Sequence, residues 1–196
     1  MKLVALILFL AASASGAAGD TTSLLDNGDF SNGLTHWEGN AHTAGSAQDD
    51  SGSTTGIVVK LRVGDWTKVT QDFTGKVADY ILTITYALSS GLEFSDRPDY
   101  YADVTTKLGF TNYFVPFSSQ KDKWVIIITD RGLNHYTYWK VSPTLGSTDV
   151  QTVQCEVSLD SDETHPKSFC LGFPPGSGFV NLQSISLVPK TSATAP

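Results

Sequence analysis

From residue 57 to residue 188 the chain is built of short segments whose apolar residues recur at every second position or run together. That rhythm suits sheets and not helices. The segments are Ile57–Val63, Thr67–Phe73, Tyr80–Leu88, Trp124–Thr129, His135–Val141, Val150–Leu159, Phe169–Phe173 and Phe179–Val188. Each is rich in Val, Ile, Thr or aromatic residues and is bounded by Gly, Asp, Asn or Pro. No window beyond the first apolar run carries a helical period. Many short strands without helices must bury their apolar rows against each other in two layers. The expected fold class is therefore all-β, a two-sheet β-sandwich of jelly-roll type. The absence of a fixed repeat excludes solenoids and propellers.

The polar stretches 40–56 and 92–102, rich in Gly, Ser and Asp, are expected to be loops over the strand ends. Residues 1–19 read as an address: Lys2, the apolar run Leu3–Ala12, then small residues, with cleavage after Ala14, Ala17 or Gly19. This is the pattern of a secretory signal peptide, too short to span a membrane. The expected organisation is a signal peptide at 1–19, one β-sandwich domain at 20–188 and a flexible tail at 189–196. Such a product is secreted, whether periplasmic or extracellular, and its length suffices for a single core.

Thirteen Lys and Arg against 20 Asp and Glu leave a formal charge of −7, with the basic residues scattered. Counterion release needs a concentrated basic face, so nucleic acid and anionic lipid are poor partners and a neutral ligand is favoured. Cys155 and Cys170 are the only cysteines. In an oxidising compartment they are expected to form a disulfide, contributing about 3 kcal/mol through the unfolded chain. A zinc site using His165 would have three ligands at no recognised spacing. There is no Gly-x-Ser-x-Gly and no His-Glu-x-x-His, and the four histidines are dispersed. Nothing in the sequence predicts an enzyme.

The segment Leu24-Leu25-Asp26-Asn27-Gly28-Asp29-Phe30-Ser31-Asn32-Gly33-Leu34-Thr35-His36-Trp37 pairs two Asn-Gly turn signals with the apolar anchors Phe30, Leu34 and Trp37. Alone it predicts a short strand folding back on a core. Together with Trp66–Phe73, Tyr80–Thr83, Tyr86 and the closing segment Gly178–Val188, it resembles the cenC-type carbohydrate-binding modules. These are the galactose-binding-like jelly rolls of families 4, 9, 16 and 22. The resemblance implies a carbohydrate partner, a cleft aromatic near Trp66, and a structural calcium at Asp29, Gly56 and Gln183. No other cofactor is implied. The chain departs from the family pattern at Ser31, where many members have Glu, and at Gln183, where the closing Asp is usual.

A sugar ring offers an apolar C–H face and an equator of hydroxyls, so its site needs flat aromatic surface plus directed polar groups. Trp66 is either such a platform or a cap over the sandwich end. Tyr100 and Tyr101 follow the polar stretch Asp96-Arg97-Pro98-Asp99, and alternation turns only one of them outward. Tyr136 and Tyr138 share one face of their segment while His135, Thr137 and Trp139 share the other. With Trp139 in the core, the two tyrosines become an exposed pair, either a stacking platform or ordinary sheet surface. Arg97, Asp99 and Gln71 are the candidates for bonding hydroxyls. The expected function is a secreted, non-catalytic module that recognises a poly- or oligosaccharide by aromatic stacking. The alternatives are an extracellular adhesion or matrix protein with cell-surface partners and, further off, a small glycoside hydrolase or polysaccharide lyase.

Overall fold

The alternation of Thr67-Lys68-Val69-Thr70-Gln71-Asp72-Phe73 buries one parity of side chains and leaves the other toward solvent. Repeated along the chain, that pattern makes two sheets. The computed structural model describes residues 22–48, 54–63, 66–95, 124–130 and 135–191, with backbone alone for 42–48, 54–55, 130 and 135–140. The strands are β1 (Glu38–Gly39), β2 (His42–Gln48), β3 (Thr54–Lys60), β4 (Thr67–Phe73), β5 (Ala78–Leu88) and β6 (Glu93–Phe94). They continue as β7 (Trp124–Asp130), β8 (His135–Val141), β9 (Gln151–Leu159), β10 (Lys167–Phe173), β11 (Gly176–Ser177) and β12 (Phe179–Pro189). Among the described residues there is no helix, and hence none long and apolar enough to cross a membrane.

A first five-stranded sheet has the order β1-β4-β10-β7-β8, a second has β2-β3-β12-β5-β9, and β6 pairs with β11. Every pairing is antiparallel. Val69, Phe73, Trp124, Ile126, Ile128, Phe169, Leu171 and Phe173 of the first sheet pack in one core cluster with Ile57, Val59, Leu82, Ile84, Tyr86, Leu182 and Leu187 of the second. A ring contact ties the layers, Tyr86 lying 4.4 Å from Trp124, and within the first sheet Trp124 lies 4.7 Å from Phe173. Trp37 and Trp124, both expected inside, are 6% and 1% exposed.

Three expectations about local structure change. Residues 24–37 form successive turns and not a strand. Asn27 organises them: its amide donates to the carbonyls of Gly33 and Thr35, its Oδ1 accepts from the Asn32 N–H, and its carbonyl accepts from Trp37 Nε1. Ile185 N–H donates to the Gly28 carbonyl at 2.7 Å, which fastens this loop to β12. The expected loop 40–56 contains β2 and the start of β3. An edge strand of Thr, Ala, Gly and Ser needs only backbone pairing, and β2 shifts register twice along β3, as irregular edges do. The expected tail starts too early, because β12 includes Pro189 and Lys190 N–H donates to the Asp79 carbonyl at 2.8 Å. The expected signal peptide at 1–19, the stretch 96–102 and residues 192–196 lie outside the described residues.

The disulfide expectation is also corrected, since both cysteines are free. Cys155 lies on β9 of the second sheet and packs against the core. Cys170 lies on β10 of the first sheet, between Phe169 and Leu171, which face the core. Alternation therefore turns Cys170 to the opposite side. A disulfide needs Cβ atoms about 4 Å apart, whereas packed sheets stand about 10 Å apart.

Candidate functional site at the outward face of the first sheet

Since Phe169, Leu171, Ile126 and Ile128 point into the core, the residues between them form the opposite face. Strand register arranges that face in rows. One row runs Asp72, Ser168, Thr129, Tyr136, and the next runs Thr70, Cys170, Ile127, Tyr138. A third runs Lys68, Gly172, Val125, Lys140. Trp139 stands opposite Ile126, a core position, so the register carries positions 136 and 138 onto the outward parity, as the alternation predicts.

The middle of this face is buried: Val125, Ile127 and Cys170 are 0% exposed. At the β4 margin the face opens, with Lys68 and Thr70 half-buried and Asp72 exposed. The Ser168 hydroxyl donates to Asp72 Oδ1 at 2.5 Å, which fixes the carboxylate within its row. In the same row the Thr129 hydroxyl is buried and has no hydrogen-bond partner. A buried hydroxyl left unpaired costs on the order of 1–3 kcal/mol, which singles this row out. Burial pushes the Cys170 thiol up to about 12, against a small lowering by Lys68, so Cys170 is a neutral apolar filler. Beside Asp72, Phe73 and Thr74 an open cleft of about 490 Å³ reaches Ser23, Leu24, Asp26 and Pro166.

The other candidates fare differently. Trp66 is 1% exposed, and its carbonyl accepts from Asn40 Nδ2 while Asn40 Oδ1 accepts from the Lys68 N–H. Its ring is enclosed and has no face to offer a sugar. Gln71 is 4% exposed and grips the backbone of Asp26, accepting from its N–H at 2.7 Å and donating to its carbonyl at 2.9 Å. It is a clip between β4 and the opening loop, and not a hydroxyl binder. Arg97, Asp99, Tyr100 and Tyr101 lie outside the described residues. Asp72, Ser168 and Thr129 were not singled out from sequence. The polar parity of Thr67–Phe73 already marked Lys68, Thr70 and Asp72 as the outward side.

The calcium positions do gather along β12. A Cβ on Gly56, whose φ is +81°, would meet the Leu182 carbonyl oxygen at 1.9 Å, so this backbone abuts Leu182 and Gln183. Asp29 follows Gly28, which is bonded to Ile185. Yet the Asp29 carboxylate already accepts from the backbone N–H and hydroxyl of Ser31, which hold it below the usual range. Among the described residues no group of three His, Cys, Asp or Glu could hold a metal. Calcium takes about 6–8 oxygens from carboxylates and carbonyls, and at these three positions Asp29 is the one carboxylate.

No family model matches the chain, and no curated protein matches it. Solved structures do. TmCBM61, in complex with β-1,4-galactotriose, superposes with a TM-score of 0.56 at 11% identity, over 87% of this chain and 100% of its own. A family 16 carbohydrate-binding module gives 0.53 at 16% identity, over 84% and 99%. The CBM22-1 xylan-binding domain from Paenibacillus barcinonensis Xyn10C gives 0.50 at 9% identity, over 88% and 94%. The chain has the β-sandwich fold of carbohydrate-binding modules.

Proposed function

We propose that this chain is a secreted, non-catalytic carbohydrate-binding module whose ligand meets the outward face of the first sheet at its margins, where β4 and β8 flank the enclosed β10 and β7. The observation that supports it best is the row register, which sets position 136 in one row with the fixed Asp72 carboxylate and position 138 in the next row of the same face. The tyrosines supply flat surface for the C–H face of a sugar ring, and Asp72 accepts from ring hydroxyls. Arg97, Asp99, Tyr100 and Tyr101, which lie between β6 and β7 in sequence, complete the proposed set. Export requires removal of residues 1–19, so the secreted protein should begin near Asp20.

Each stacked ring contributes about 1 kcal/mol beyond area burial, which makes the affinity micromolar or weaker. The solved neighbours suggest β-1,4-galactan and xylan as first ligands. In affinity electrophoresis across a glycan panel, Tyr138→Ala and Tyr136→Ala should each weaken retention about fivefold while thermal unfolding stays unchanged. Unaltered retention in both folded variants removes this face from the site. Capture of envelope proteins with no glycan retained would favour an adhesion or matrix role, and cleavage of the glycan would favour an enzyme.

A further inference from the structure

We propose that a second site, for a saccharide bearing carboxylates, lies at the end of β3 on the outward face of the second sheet. Leu61 is buried, so Lys60 and Arg62 on either side of it project the other way. The backbone that carries them is held on the β12 side: Leu61 N–H donates to the Gly178 carbonyl at 3.1 Å, and Gly176 N–H donates to the Arg62 carbonyl at 3.0 Å. Phe179 stands opposite Lys60 in register, which places it on the same face, and it is 36% exposed. Val63 is 80% exposed beyond Arg62. Lys60, Leu61, Arg62 and Val63 line an open cleft of about 450 Å³.

Two features make this a ligand site and not ordinary surface. Neither Lys60 nor Arg62 has an ion pair or side-chain hydrogen bond among the described residues, although the chain carries a net −7 and acidic partners are plentiful. Two cations side by side on a fixed backbone, unpaired among the described residues, repel each other and attract an anion between them. Beside them a ring is exposed where a sugar could stack, and Arg adds planar bidentate recognition of a carboxylate. A uronic acid residue combines that apolar ring face with that carboxylate. This site shares no residue with the face of the first sheet, so it stands or falls independently of the reading above.

Titration calorimetry on the whole exported protein tests it, using a short oligogalacturonate, its methyl ester and a neutral galactan oligomer of equal length. The acid should bind at least about tenfold more tightly than the ester, and its affinity should fall as salt rises. The double variant Lys60→Gln/Arg62→Gln should lose about tenfold on the acid and nothing on the galactan. Tyr138→Ala should do the reverse. Equal binding of acid and ester, no binding of the acid, or undiminished acid binding by the double variant overturns the proposal. So does displacement of the acid by inorganic sulfate at equal concentration, which would leave a simple anion site without sugar recognition.

Discussion

The two sheets bury their inner faces alike and differ on their outer ones. On the second sheet Thr152, Gln154, Glu156 and Ser158 of β9 are exposed, and the sheet face is knitted by polar pairs such as Ser158 with Asp79 at 2.6 Å. On the first sheet the outward Val125, Ile127 and Cys170 are as buried as the core. The cause is in the sequence: β9 alternates, whereas Val125-Ile126-Ile127-Ile128 is apolar at both parities. A continuous apolar run makes a strand covered on both sides, and alternation makes one that faces water. The outer face of the first sheet is thus enclosed over β7 and β10 and opens at the β4 margin, whereas most of that of the second meets solvent.

The largest expected difference is in stability. Ile127→Asp places a charge at a position buried on the outward parity and should cost on the order of 3–5 kcal/mol. Thr152→Asp, also outward but on the second sheet, should change stability by less than about 0.5 kcal/mol. Similar midpoints in urea for the two variants would break the comparison.

A smaller effect separates the two thiols. Unfolded protein should react with two equivalents of a thiol reagent, and intact mass should show no loss of hydrogen. In the native state Cys155 should react first, being half-buried, its pKa raised by that burial, while Cys170 stays protonated and enclosed. Equal native reactivity would mean that β10 is not enclosed at Cys170.

The smallest effect concerns the loop between β9 and β10, which joins the sheets. The Thr164 hydroxyl and the His165 ring, with the Thr164 N–H, hold the Asp162 carboxyl down to about 2. A depressed carboxyl stabilises the fold above its unfolded pKa of about 3.9, and that contribution disappears as pH falls through the folded value. A carboxyl titration followed by nuclear magnetic resonance should therefore place the Asp162 midpoint near 2, with Thr164 amide exchange accelerating below it. A midpoint near 3.9 would show that these bonds do not persist in solution.

Much of this architecture is legible in the sequence because period two is a local signal. Seven of the segments read from alternation or apolar runs match strands within about two residues, and the eighth, Ile57–Val63, overlaps β3 but ends beyond it at Lys60. β2 escapes because an edge strand of small residues needs no apolar stripe. Gln71 was misassigned because its burial depends on Asp26, far along the chain. The Cys155–Cys170 pairing failed for a related reason. Compartment chemistry says that two thiols pair, but only the division of strands between sheets says that these two face apart. The outward row ending in Tyr136 follows from alternation once Trp139 is assigned inward. Its partners Ser168 and Thr129 depend on register, which single-strand patterns do not encode.

The central claim is that saccharide meets the first sheet's outward face. It is tested most directly by amide shift mapping during titration with β-1,4-galactan or xylan oligomers. The account predicts concentrated changes at Thr70, Asp72, Tyr136 and Tyr138, with none at Thr83, Gln154 or Ser186. Changes confined to the latter three, with the first group silent, would contradict it.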